Sequence, residues 1–212
     1  MKRKTPDAAQ PTLAPQLSMI EFADKLKTPS KDSAATMQFA STKTFFTIVL
    51  GQGKDDTLFS EYGVGDFDGK RSIVFKATPD VKAQLEELDD CVKRQFELNK
   101  DAYFPGGCSH EHNPLLKAVP DDFVFRVKIK TADEKGKATE IYSHSGPGTD
   151  PKPATLEALN PGCTAVVKAT IPYLWVSEKK YGVTLVAQVV CVKPGAELLG
   201  LESLKLGDDW MW

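Results

Sequence analysis

Long hydrophobic runs are missing from this chain of 212 residues. The longest nearly unbroken one, Val183 to Val192, is interrupted by Thr184 and Gln188 and falls well short of the ~20 residues that span a bilayer as a helix. Met1-Lys2-Arg3-Lys4 is followed by Pro, Asp and Gln with no apolar stretch behind it, so neither a secretory signal nor a membrane partner is expected. Cysteine is sparse. Cys91, Cys108, Cys163 and Cys191 form no CxxC pair, and without a signal the expectation is an intracellular protein with free thiols. An excess of one charge is also lacking, with Lys plus Arg at 27, Asp plus Glu at 29 and a formal net charge of −2. That excludes a histone-like polycation, and any nucleic-acid role needs a local basic face. Nucleophile elbows, HExxH, P-loops and GxGxxG fingerprints are all absent from the sequence, so no enzyme and no cofactor is expected.

What is present is enough apolar residue, 41%, to build a core. Residues 1–35 are rich in Pro, Ala, Ser, Lys and Asp and read as a mostly disordered arm, with a short helix over 17–27. Residues 36–195 read as one β-rich domain. Lys43–Leu50 and Arg71–Lys76 are β-branched and aromatic, bounded by glycines, and predict two strands. Between Pro79 and Lys100, Val81, Leu85, Leu88, Val92 and Phe96 recur at helical spacing and predict one amphipathic helix. Phe123–Lys130 alternates: Phe123, Phe125, Val127 and Ile129 point one way, Val124, Arg126, Lys128 and Lys130 the other. With Thr139–Ser143 it predicts a hairpin. Cys163–Val176 and Tyr181–Val192 predict two long strands, the second apolar on nearly both faces, as in a central or barrel strand. About six strands and one inserted helix suggest an OB-fold-like antiparallel barrel, which also removes exposed edges; an Ig-like sandwich is the structural alternative.

Four groups of residues invite a functional reading. Cys108, His110 and His112, with Cys91 upstream, are metal-ligand types, but CxHxH fits no zinc pattern, and a polar loop is the plainer reading. The same residues, so close in sequence, do not assemble a catalytic triad. The cationic face of Arg126, Lys128 and Lys130, flanked by Lys43, Lys70, Arg71 and Lys76, is more informative. Its residues stand about 6–7 Å apart along the strand. Tyr142, Tyr173, Trp175 and Tyr181 lie near strand ends as candidate platforms for bases, the combination that single-strand binding requires. A solvated sheet face is the competing reading. Finally, residues 196–212 form an acidic tail ending Asp208-Asp209-Trp210-Met211-Trp212, which fits either a hook for a partner or a plug for the chain's own barrel.

Leu159-Asn160-Pro161-Gly162-Cys163, Val166-Val167-Lys168-Ala169, Pro172-Tyr173-Leu174-Trp175 and Lys180-Tyr181-Gly182-Val183-Thr184-Leu185, ending Gln188-Val189-Val190, resemble the C-terminal strand pair of OB-fold single-stranded-DNA-binding proteins of tailed phages and large nucleocytoplasmic DNA viruses. The likeness covers residues 155–193, and 40–145 only by element order. It implies a sequence-tolerant binder of single-stranded DNA in replication, recombination or repair, acting at the site of viral or phage DNA replication. It also implies that Asp208, Asp209, Trp210 and Trp212 recruit replication proteins. DNA versus RNA preference and oligomeric state, a homo-oligomer included, stay open. The alternative is a non-catalytic β-barrel adaptor that binds proteins through its C-terminal tryptophans; a metal-dependent hydrolase is a third class with an incomplete ligand set.

Overall fold

A computed structural model describes residues 20–27, 37–43, 46–52, 57–67, 70–132, 137–143 and 150–193. The expectations placed on 1–19 and on the tail, including Asp208, Asp209, Trp210 and Trp212, lie outside the described residues. In chain order the strands are β1 (Gln38–Ser41), β2 (Thr47–Leu50), β3 (Leu58–Phe59), β4 (Val64–Phe67) and β5 (Lys70–Lys76). Helix α1 (Pro79–Tyr103) follows, then β6 (Glu111–His112), β7 (Leu116–Val119), β8 (Asp122–Lys128), β9 (Glu140–Ser143) and β10 (Lys152–Pro153). The last four are β11 (Thr164–Thr170), β12 (Tyr173–Val176), β13 (Lys180–Val183) and β14 (Leu185–Lys193). The protein is mainly β with one long helix, and no helix among the described residues is long and apolar enough to cross a membrane.

The strand pairings close a ring. β3 pairs with β5, β5 with β8, β8 with β14, β14 with β11, and β11 returns to both β2 and β3. All links are antiparallel except β8–β14, which is parallel. With β2 and β3 counted as one interrupted first strand, this is the five-stranded Greek-key barrel of the OB-fold. The OB-fold-like barrel expected from sequence is thus what the pairings close, and within it β8 and β9 join β14 in parallel. The 123–143 hairpin reduces to contacts between Lys130 and Thr139 at its base, because β14 takes up the edges the two strands would have shared. The inward set, including Ile48, Leu50, Ile73, Phe75, Phe125, Val127, Ala165, Val167 and Val190, is almost solvent-free.

Both long strands expected near the C-terminus are broken. β11 stops at Ile171-Pro172, where proline cannot donate to a ladder. There Thr42 takes over, its N–H reaching the Pro172 carbonyl at 3.1 Å and its hydroxyl the Ile171 carbonyl at 2.7 Å. The chain then leaves the barrel for a second sheet, ordered β1-β12-β13-β6, and re-enters at Leu185. The helix expected over 17–27 is also corrected. Residues 20–27 run beside β1 with a bend at Asp24-Lys25 and bridges Phe22–Thr42 and Lys27–Phe39, because Ile20 and Phe22 are buried in the core.

α1 begins as its sequence dictates. Thr78 caps it, accepting the Val81 N–H at 3.3 Å, with Pro79 and Asp80 in the first turn. Val81, Leu85, Leu88, Val92 and Phe96 are all buried. The helix lies between ring strands β5 and β8 in sequence. Its N-terminal part packs at the Phe123 end of β8, where the Lys82 ammonium sits 3.8 Å from the Phe123 ring centre.

Candidate nucleic-acid interface

In an OB barrel the outer face of the second and third strands, flanked by the first-to-second and fourth-to-fifth connections, is where oligonucleotides bind. Here those strands are β5 and β8. Strand alternation sends Ile73, Phe75, Phe125, Val127 and Ile129 inward and leaves three cross-strand pairs of the opposite parity, Ser72 with Lys128, Val74 with Arg126, and Lys76 with Val124, with Val124 itself covered by its neighbours. β7 extends this face by placing Lys117 beside Val124. Lys76, Lys117, Arg126 and Lys128 thus share one outer surface, with Lys130 two residues further along. Arg126 is exposed. Lys76 lies 3.8 Å from Glu61 and 4.0 Å from Asp122, both long and partly exposed pairs, which in water contribute little.

The fourth-to-fifth connection is the hairpin β12–β13. Alternation there buries Leu174, Val176, Tyr181 and Val183 and turns Tyr173 and Trp175 to the other face. Phe39, paired with Trp175 across β1, meets the Tyr173 ring edge-on at 4.8 Å. Phe39, Tyr173 and Trp175 form a partly buried aromatic row. Gly182 opposite Trp175 has no room for a side chain: a Cβ there would stand 2.8 Å from the indole Cζ2 and 2.9 Å from the Asn113 carbonyl oxygen. The indole therefore packs directly over Gly182. Asn113 also joins this row to the cationic face, since its Oδ1 accepts from the Lys117 ammonium at 2.7 Å and its N–H donates to the Tyr181 carbonyl.

Of the other residues singled out by sequence, several lie elsewhere. Lys43 is on the link between β1 and β2, bonded to Asp24 at 2.6 Å. Arg71 has the inward parity of Ile73 but sits at the barrel's end, its Nε 3.2 Å from Asp66. Tyr142 projects from β9, its hydroxyl donating to Glu140 at 3.1 Å. Tyr181 cannot be a platform for bases: it is 4% exposed, with its ring stacked on Phe96 at 3.6 Å and 7°. Sequence reasoning missed Lys117, Asn113 and Phe39. The alternation Leu116-Lys117-Ala118-Val119, bracketed by Pro114 and Pro120, was the available signal for the first.

His110 stacks on Phe104 with ring centres 4.7 Å apart. His112 turns instead to Asp89 of α1, with Nε2 3.4 Å from Oδ1. Among the described residues no group of three or more His, Cys, Asp or Glu side chains converges on a metal position. Asp89 accepts the Leu115 N–H at 2.9 Å. Burial pushes its carboxyl up to about 7 and the His112 imidazole down to about 4. Burial thus favours the neutral form of both groups. The two groups act oppositely on stability. The raised Asp89 adds stability below its unfolded value near 4 and loses it as pH rises through 7. The lowered His112 costs stability as pH falls from 6.5 through 4. Asp89→Asn removes the first contribution only. Its urea midpoint is expected to rise steadily from pH 4.5 to 6.5, where the parent protein's stays nearly level.

No family model matches the chain, and no curated protein matches it. The crystal structure of gp2.5, a single-stranded DNA binding protein encoded by bacteriophage T7, is similar over 75% of this chain and 91% of that one, with 15% identity and a TM-score of 0.45. The barrel itself is assigned by the closed circuit of strand pairings, β3-β5-β8-β14-β11.

Proposed function

We propose that this protein binds single-stranded DNA without sequence preference, as a non-catalytic partner of replication, recombination or repair. One observation carries the reading. The outward cations of β5, β7 and β8 and the aromatic row of β12–β13 meet through Asn113, which accepts from Lys117 and donates its N–H to the Tyr181 carbonyl beside Gly182. Cations that follow phosphates, next to rings on which unpaired bases stack, suit a single strand and not a duplex, whose bases are already stacked. Arg126, Lys128 and Lys117 are the proposed phosphate contacts, with Lys130 and Lys76 at the two ends; Trp175 and Tyr173 are the proposed stacking surfaces.

Fluorescence anisotropy with a mixed-sequence oligonucleotide, single-stranded and then annealed, tests this. The single strand is expected to bind at least tenfold more tightly. Trp175→Ala should weaken it by about 1–3 kcal/mol, the worth of one base–aromatic stack, when measured at a temperature where the variant is fully folded. Equal affinity for duplex and single strand, or an unaffected Trp175→Ala variant, would remove the stacking surface and the reading with it.

A further inference from the structure

At the end of the barrel away from Pro79, a cavity of about 380 Å³ opens beside Lys130. Ile141, Ala154 and Leu156 supply its apolar floor, and Arg71, Lys130 and Thr155 stand around it. No carboxylate lines it among the described residues. Asp66 takes the Arg71 Nε at 3.2 Å and so fixes the guanidinium at the rim. Thr155 begins the short 3-10 turn Leu156–Ala158 without using its hydroxyl as a cap. An apolar floor with cations at its mouth suits a flat, hydrophobic group attached to an anion. The size falls at the lower end of small-ligand sites, roughly 300–1,000 Å³. Position adds a second reason. Arg126, Lys128 and Lys130 follow one another at every second residue of β8 and its extension, so the cationic row runs into the cavity mouth.

We infer that this cavity holds one nucleotide of the bound strand, its base against Ile141, Ala154 and Leu156 and its phosphate on Arg71 and Lys130. The inference rests on the single-strand reading and extends it from a surface to a subsite. Ala132 lies exposed in a turn at the mouth, so Ala132→Trp would fill the opening without disturbing the core. Thr155 is exposed as well, and Thr155→Glu would put a carboxylate where the phosphate is expected.

The test titrates a thymidine oligonucleotide carrying one 2-aminopurine, its position walked along the strand, into the parent protein and both variants. A parallel titration uses thymidine monophosphate alone. The parent should show one position whose fluorescence changes well beyond the rest. Each variant should lose that response and bind the oligonucleotide about 5- to 10-fold more weakly, as for the loss of a single base contact, with the salt slope of the remaining contacts kept. Oligonucleotide binding that is identical in all three proteins would overturn the subsite and leave the single-strand reading standing. Failure of the parent to bind any oligonucleotide at low salt would overturn both. Saturable binding of the monophosphate, lost in Ala132→Trp, with no position-specific signal from the strand, would overturn the strand as the source and assign the cavity to free nucleotides.

Discussion

Arg126→Glu combined with Lys128→Glu is expected to weaken single-strand binding by at least 50-fold at 50 mM salt. Each phosphate neutralised on a single strand contributes about 0.7 to the log–log salt slope, hence just under one decade of affinity at that salt. Removing both cations therefore takes away nearly two decades, and the new carboxylates add repulsion. Both side chains stand on the outer face, paired across β5 with Val74 and Ser72, so the barrel should fold as before. The loss should be the same for every sequence tested, because phosphate contacts carry no base information. The salt slope should flatten by about 1.4 in the double variant. An affinity loss confined to some sequences would place base readout on β8 and contradict the proposed role.

Phe96→Ala is expected to cost about 3–5 kcal/mol of stability, the usual range for a buried Phe, and to lower the melting temperature by roughly 6–20 °C for a domain of this size. Phe96 is 1% exposed and lies face to face with Tyr181. It also neighbours Tyr103, Phe104 and His110. This stack joins α1 to β13, and so holds the aromatic hairpin to the body of the protein. The loss should therefore reach function: the variant should bind single strands more weakly even at temperatures where it is fully folded, since Trp175 rides on the same hairpin. Phe96→Leu, which keeps most of the apolar volume, should recover more than half of the stability. A Phe96→Ala melting temperature within a few degrees of the parent would mean the hairpin is held elsewhere, by β1 or by the Asn113 bonds.

The parts of this architecture that are legible in the sequence are those set by local periodicity. The two-residue alternation from Phe123 to Lys130 is enough to place Arg126 and Lys128 outward, and the Val81–Phe96 stripe locates α1 to within a turn. Neither depends on distant residues. What escapes a sequence reading does depend on them. Tyr181 lies beside Gly182 in sequence and looks as available as Tyr173. Only the approach of Phe96, from a helix far back in the chain, covers it. The parallel joins of β8 and β9 to β14 are likewise invisible locally, since adjacent alternating strands read as a hairpin whether or not a third strand takes their edges. β7 carries only a four-residue alternation between Pro114 and Pro120, a weak signal for the strand that brings Lys117 to the interface. Residues 20–27 run beside β1 because they answer to it, not to their own weak helical spacing.

The salt dependence of binding to a mixed-sequence single strand, measured on the parent protein from 50 to 400 mM, bears most directly on the proposed interface. Three to five phosphate contacts along Lys76, Lys117, Arg126, Lys128 and Lys130 give a log–log slope of about −2 to −3.5. A slope near zero, or no binding at the lowest salt, would contradict a phosphate-tracking face on β5, β7 and β8.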